Sequence, residues 1–213
     1  MFKDRKDAGH RLSRKLTEYK SRQDSLIIAL PRGGVVVGKA VAENLLIPLM
    51  LLPVKKLSAP LNPELAIGAV TMGEVKYLDW DLIDKLNVHN DFLSEEIRKK
   101  YSIVAEQAEL YKTKLDRLPE YKNYLVVDDG IATGSTARAV INLLKKQAGK
   151  KRIIIAAPVI SQDVESEFKK EVGSVITLLA SDEFRAVGQF YRSFDQVTDE
   201  EVIRLISGGL KKQ

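Results

Sequence analysis

The chain has 213 residues, 45% apolar and 30% charged, which fits one large soluble domain or a core with an embellishment. It contains no cysteine, which excludes disulfides, thiolate metal sites and cysteine nucleophiles and suits a reducing compartment. The formal net charge of +5 suits a polyanionic partner, yet no basic run is interleaved with aromatics, so nucleic acid is not the expected partner.

The N-terminal "MFKDRKDAGH" mixes acids and bases and lacks the apolar segment of a secretory signal. A helix is expected over Asp4–Lys20, its basic cluster forming a solvated face. A strand over Ser25–Leu30 leads through "PRGG" into a helix from Gly34 to Leu45. Ile47–Val54 reads as a second strand, closed by Lys55 and Lys56. The longest apolar stretch, Leu45 to Val54, holds two prolines and is too short to span a bilayer, so no membrane partner and a cytoplasmic location are expected.

Two regions then break the alternation. "LSAPLNPELAIGAVTMGEVKYLD" carries three prolines and reads as a long functional or mobile loop, followed by a hairpin around Gly73. Asn90 to Leu115 reads as a long helix capped by Asn90 or Asp91, with Leu93, Ile97, Tyr101, Val104, Ala108, Tyr111 and Leu115 stepping by three or four. That stripe packs on the chain's own core or on a second copy, the latter giving a homo-oligomer. Trp80 is expected as a core anchor, and His10 and His89 as surface or packing residues.

The remaining elements alternate again: strands over Tyr124–Asp128, Arg152–Ala157 and Ser174–Leu179, helices over Ser135–Gln147, Asp163–Val172 and Asp199–Ser207. Near-continuous apolar strands alternating with helices predict an α/β fold with a mainly parallel sheet covered on both faces.

The richest stretch is "YLVVDDGIATGST", residues 124 to 136. A strand, a small-residue loop and a helix together hold phosphate well, because unpaired N–H groups of the first helical turn and the helix dipole both face the anion. Thr133, Ser135 and Thr136 add hydroxyl donors, and Gly134 lets the backbone approach. The loop lacks the lysine and spacing of a Walker motif. Asp128 and Asp129 would repel a phosphate but suit sugar hydroxyls, a hydrated Mg²⁺ or a developing cation. A ribose 5-phosphate satisfies both halves of the motif.

"VVDDGIATGST" resembles the phosphoribosyl pyrophosphate (PRPP) signature of the type I phosphoribosyltransferases. The resemblance implies a five-stranded parallel sheet flanked by helices, a hood that selects the base, and a mobile loop that closes over the site. The core would span about 22–180. The hood would come from the N-terminal helix, a helical insertion at about 80–116 and the segment 181–213. Carried over by position, Asp128 and Asp129 would bind the ribose hydroxyls, Ala132, Thr133, Gly134, Ser135 and Thr136 would bind the 5-phosphate, and Gly130 and Ile131 between them would also be substrate-binding. "SLIIALPRGGVVVGKA" would supply the pyrophosphate loop through Arg32, Gly33 and Gly34, with a cis peptide expected at Arg32-Gly33. Lys55 or Lys56, with Lys55 preferred, would add a second cation.

"FKDRKDAGHRL", "KLSAPLNPELAIGAV" and "FRAVGQFYRSFDQVTDEEV" extend the resemblance to a subgroup found alone or fused to a hydrolase-like domain. The chain departs from that subgroup's pattern at Lys55, Leu61 and Phe190, where arginine, glycine and tryptophan are usual. The implied reaction is transfer of the phosphoribosyl group from PRPP to a nitrogenous base, with release of pyrophosphate. Asp128 and Asp129 would stabilise the cationic sugar and Arg32 the leaving group. Mg²⁺ is the implied cofactor, held mainly by PRPP, with Asp128 and Asp129 reaching it through water. Ala132 stands where 6-oxopurine members carry an aspartate, which weakens a hypoxanthine-guanine assignment. Glu64 reads either as a carboxylate that reaches the site when the loop closes or as a solvated loop carboxylate. Phe184, Phe190, Tyr191 and Phe194 follow the last strand and read either as core or as a stacking platform, with Phe190 and Tyr191 the candidates for stacking on the base. The rival reading is a non-catalytic PRPP or nucleotide sensor on the same fold.

Overall fold

In the computed structural model, which describes residues 1–149 and 151–207, the chain divides into two compact units. The first comprises Met1–Leu51, Pro119–Ala132 and the chain from Lys151 onward; the second comprises Leu52–Leu118 and the segment from Thr133 to Lys150. Of the expected hood segment 181–213, residues 208–213 lie outside the described residues.

The first unit is built on β1 (Ser25–Ala29), β2 (Leu49–Leu51), β6 (Asn123–Val127), β7 (Arg152–Ser161) and β8 (Val175–Ser181). They form one sheet in the order β2-β1-β6-β7-β8, and every pairing is parallel. Five residues each of β1 and β6 are buried throughout, as strands covered on both faces must be. One covering layer contains α2 (Gly33–Leu45), whose Val37, Val41 and Leu45 pack on Ile27, Leu125, Val127 and Ile154. Leu12 of α1 (Arg5–Ser13) joins the same core, together with Leu16 and Tyr19 beyond the helix. The unit is completed by α6 (Gln162–Glu171) and α7 (Asp199–Ser207).

The helix expected over Asp4–Lys20 is shorter. Asp4 caps it, accepting from the Asp7 N–H at 2.8 Å, and it ends at Ser13. A single 3₁₀ turn, Thr17–Tyr19, follows, which lets both Leu16 and Tyr19 reach full burial.

The second unit holds an antiparallel sheet of β3 (Val54–Ala59), β4 (Asn62–Thr71) and β5 (Val75–Leu78), in that order. With it lie α3 (Trp80–Lys85), α4 (Asn90–Leu110) and α5 (Ser135–Ala148). Two expectations change here. Ile47–Val54 is not one strand. Pro53 cannot donate to a ladder, and its carbonyl instead accepts from Thr71 Oγ1 at 2.7 Å, so β2 stops in one sheet and β3 starts in another. The proline-rich region read as a loop is the β3–β4 hairpin, with Pro60 at its turn and Pro63 at the exposed start of β4. The expected hairpin around Gly73 is the β4–β5 turn, where Gly73 takes φ +67°.

On α4, Leu93, Ile97, Tyr101 and Val104 pack against Leu57, Ile67 and Val70, which makes that part of the stripe core. The helix starts at Asn90 after His89, with no side-chain cap, and ends at Leu110. Trp80 is not a core anchor. It opens α3 and is 58% exposed, while Ile83 fills the core below. Among the described residues no helix is long and apolar enough to cross a membrane.

Candidate functional site

In the parallel sheet the chain leaves β1 toward β2 on one side, while β6, β7 and β8 extend the sheet on the other. The order therefore reverses between β1 and β6. Outside the carboxyl ends of such a pair, two divergent connections leave a crevice, where ligands of open α/β sheets bind. The residues that follow these ends are Leu30–Gly34 after β1 and Asp128–Ala132 after β6.

The two segments touch through their smallest residues. A Cβ on Gly33 would collide with the Asp129 carboxylate, and one on Gly34 would sit 2.8 Å from Asp128 Oδ1 and 2.9 Å from Asp128 Cα. Any side chain at either position would displace an acid, so the glycines are needed for close approach. Each acid has a defined neighbour. Asp128 Oδ1 accepts from the Asp129 N–H at 2.8 Å, and Asp129 Oδ2 accepts from Arg5 Nε at 2.6 Å. Burial, and next the charge of Asp129, push the Asp128 carboxyl well above its ordinary range. Arg5 acts in the opposite direction.

The loop after β1 contains a cis peptide between Pro31 and Arg32, one bond earlier than expected at Arg32-Gly33. Arg32 is already in the αR region and Gly33 opens α2, so the bond between them belongs to the start of the helix. Arg32 Nη1 lies 3.8 Å from Asp199 Oδ2 at the start of α7. Both side chains are about one-third exposed (34% and 30%), which makes this a loose, solvent-screened pair.

Tyr191 and Phe190 do not stand alike. Tyr191 is 5% exposed, and its hydroxyl donates to the Asp129 carbonyl at 2.6 Å. Its ring packs on Phe2 and Phe194, with centroids 5.3 and 5.0 Å apart. It is a buried support for the acid pair and not an open platform for a base. Phe190 is half-buried against Phe184 at 5.1 Å. The four aromatics after β8 thus form a core with Phe2, Ala8 and Val159.

In the second unit, the hydroxylated turn Thr133–Thr136 runs into α5. Gly134 is the N-cap residue at φ +74°, ψ 1°, a left-handed conformation that glycine adopts without penalty. Ser135 is buried, and its hydroxyl lies 3.2 Å from Thr133 Oγ1. Arg138 Nη1 donates to the Thr133 carbonyl at 2.8 Å, which fixes the turn from the helix. The first N–H groups of this 14-residue helix have no helical acceptors and suit an anion. In the first unit, Gly130 is pressed against Val187 and Val159, Ile131 bridges to Ile160, and Ala132 is exposed.

Lys55 and Lys56 lie on β3, not at the end of a parallel strand, opposite Val70 and Ala69 of β4. Lys55 is half-buried and Lys56 exposed, on opposite faces of the ladder. Glu64 is exposed on β4, and its N–H bonds Asn62 Oδ1 at 3.2 Å. His10 Nδ1 lies 2.7 Å from Asn44 Nδ2, and His89 precedes α4.

Among the described residues no group of three or more histidine and acidic side chains is placed to hold a metal. A divalent cation near Asp128 and Asp129 would therefore need most of its ligands from a substrate and water. The sequence offered no sign of Arg5, Val187 or the Tyr191 hydroxyl, because their contacts to residues 129 and 130 join distant parts of the chain.

The phosphoribosyl transferase domain family model matches residues 2–193. Two Mycobacterium tuberculosis proteins, from strains CDC 1551 / Oshkosh and ATCC 25618 / H37Rv, carry names that assign them provisionally as phosphoribosyl transferases. Each is 35% identical to the chain over 207 residues, 97% of its length. The alignment covers 46% of each, so the chain spans about half the length of the curated relatives it matches. The crystal structure of TT1426 from Thermus thermophilus is 31% identical, with a TM-score of 0.73 over 97% of both chains.

Proposed function

The chain belongs to the phosphoribosyl transferase family, and on that premise we propose that it transfers a 5-phosphoribosyl group from PRPP to a nitrogenous base, releasing pyrophosphate. One observation carries the proposal: an acid pair at the carboxyl end of a central parallel strand, backed by side-chain-free Gly33 and Gly34, in a sequence that continues into a hydroxylated helix start.

In this reading Asp128 and Asp129 accept the ribose 2′ and 3′ hydroxyls. The N–H groups and hydroxyls of Thr133–Thr136 take the 5-phosphate. Arg32 exchanges its loose partner Asp199 for pyrophosphate oxygens, and Lys55 is the second cation of choice. A ring nitrogen of the base attacks C1 as the bond from C1 to pyrophosphate oxygen breaks. The sugar is cation-like at that point, so fixed anions beside it and cations on the departing group lower the barrier. Mg²⁺ would supply further charge neutralisation on the pyrophosphate when bound.

The test is release of pyrophosphate from PRPP and Mg²⁺ across a panel of purine, pyrimidine and smaller nitrogenous bases. Release with at least one base supports the reading. PRPP binding with no release from any base would instead favour a sensor, and absence of both would overturn the assignment to PRPP.

A further inference from the structure

Arg5 lies 124 positions from Asp129 in sequence, yet it makes three contacts at the acid pair's edge. Its Nε meets Asp129 Oδ2 at 2.6 Å, its Nη1 donates to the Asp195 carbonyl at 2.7 Å, and its guanidinium lies 3.7 Å above the Phe194 ring. The side chains of Arg5 and Asp129 are 11% and 13% exposed, so this pair is shielded from water. The backbone carrying Arg5 is also held. The Phe2 N–H donates to Phe190, and the Arg192 and Ser193 N–H groups donate to Phe2 and Lys3.

We infer that Arg5 is a positioning residue for the acid pair: its guanidinium, held by the Asp195 carbonyl and the Phe194 ring, fixes the Asp129 rotamer. The inference rests on the proposed function only in assigning that pair to the substrate.

The charge balance around the pair supports this role. From the end of β6 come the two carboxylates themselves. From α1 comes Arg5. From the segment after β8 come the Tyr191 hydroxyl, which donates to the Asp129 carbonyl, and Asp195, whose carboxylate takes the Ser193 hydroxyl at 2.7 Å. From α2 come Gly33 and Gly34, which bring no side chain, while the neighbouring Arg32 faces Asp199. Arg5 is thus the cation paired with Asp129 within this unit. Burial and next the charge of Asp129 raise the Asp128 carboxyl, and Arg5 opposes them.

A planar guanidinium suits the position better than an ammonium. It bonds the carboxylate and a carbonyl through different nitrogens while its face lies on the Phe194 ring. Replacement by lysine would keep the charge but lose the stacked fork.

The decisive experiment is a crystal structure of the full chain as Arg5→Gln and as Arg5→Lys, read against wild type for the Asp129 side-chain rotamer. Arg5→Gln is expected to release the Asp129 carboxylate from that rotamer, and Arg5→Lys to retain it in part. Matching near-ultraviolet circular dichroism identifies variants that keep the native packing, with Arg5→Lys as the milder change. An Asp129 rotamer unchanged in a folded Arg5→Gln protein would overturn the inference. With PRPP as substrate, kcat should fall by about a hundredfold in Arg5→Gln, the cost of a misplaced group, and recover in part in Arg5→Lys. A wild type that neither binds nor turns over PRPP would instead defeat the proposed function, while the rotamer still decides the role of Arg5.

Discussion

At Asp128, burial and the charge of Asp129 make the folded protein bind a proton more tightly than the unfolded chain does. Stability therefore falls as pH rises from the unfolded-chain value near 3.9 through the raised folded value, and it stays low above that. Each unit of upward shift costs about 1.4 kcal/mol of stability at neutral pH. Asp128→Asn should accordingly raise the unfolding midpoint at pH 7, with the difference from wild type closing near pH 4. Urea unfolding at the two pH values checks this, and a destabilised variant at pH 7 would contradict it. The same variant should lose activity, since the cost is retained for the charge. Arg5 and Asp129 give a second test by a double-mutant cycle. Removing one partner of a largely buried pair leaves a charge uncompensated, so Arg5→Ala should cost about 3 kcal/mol in stability, within the usual range for such pairs. Arg5→Ala with Asp129→Asn should cost less than the sum of the single changes. Asp128, Asp129, Gly33 and Gly34 were legible in the sequence because each belongs to a short local pattern. Arg5 and the Tyr191 hydroxyl were not, because their partners lie 124 and 62 positions away.

The elements around the site carry their own constraints. Gly34 lies in the first turn of α2, where alanine would favour the helix by about 1 kcal/mol. Its Cβ, however, would stand 2.9 Å from the Asp128 backbone and 3.0 Å from the Val127 carbonyl, atoms that cannot swing aside. Overpacking of this kind costs about 1–3 kcal/mol and wins, so Gly34→Ala should be less stable than wild type by thermal unfolding. At the start of α5, Ser135→Ala should weaken PRPP binding by about 1.5–3 kcal/mol, the range for a hydrogen bond to a charged group. Calorimetric titration measures this, and unchanged affinity would remove Ser135 from the phosphate site. Most elements were legible because buried parallel strands and amphipathic helices have unlike periods. Two of the exceptions share a cause in proline. Pro53 lies between strands of two different sheets within a single apolar run, and Pro60 and Pro63 disguised an antiparallel hairpin as a loop. Tertiary pairing decided both, and no local pattern carries that information.

At the scale of the molecule, strand order places the acid pair. Because the strand order reverses between β1 and β6, the loops that follow those two strands diverge, and the acids and glycines meet there. That order follows from pairing between residues about 100 positions apart, such as Ile27 with Leu125, and no local pattern in the sequence carries it. Exchange of both acids should raise the barrier to transfer by about 3 kcal/mol or more, as loss of preorganised charge does elsewhere. Steady-state rates of the Asp128→Asn, Asp129→Asn protein give that figure, and wild-type turnover would take the acids out of the chemistry. The most direct measurement is a crystal structure of the chain with PRPP and Mg²⁺. In that structure the ribose hydroxyls should lie on Asp128 and Asp129 and the 5-phosphate within Thr133–Thr136. A donor bound elsewhere, or one whose ribose turns away from both acids, would contradict it.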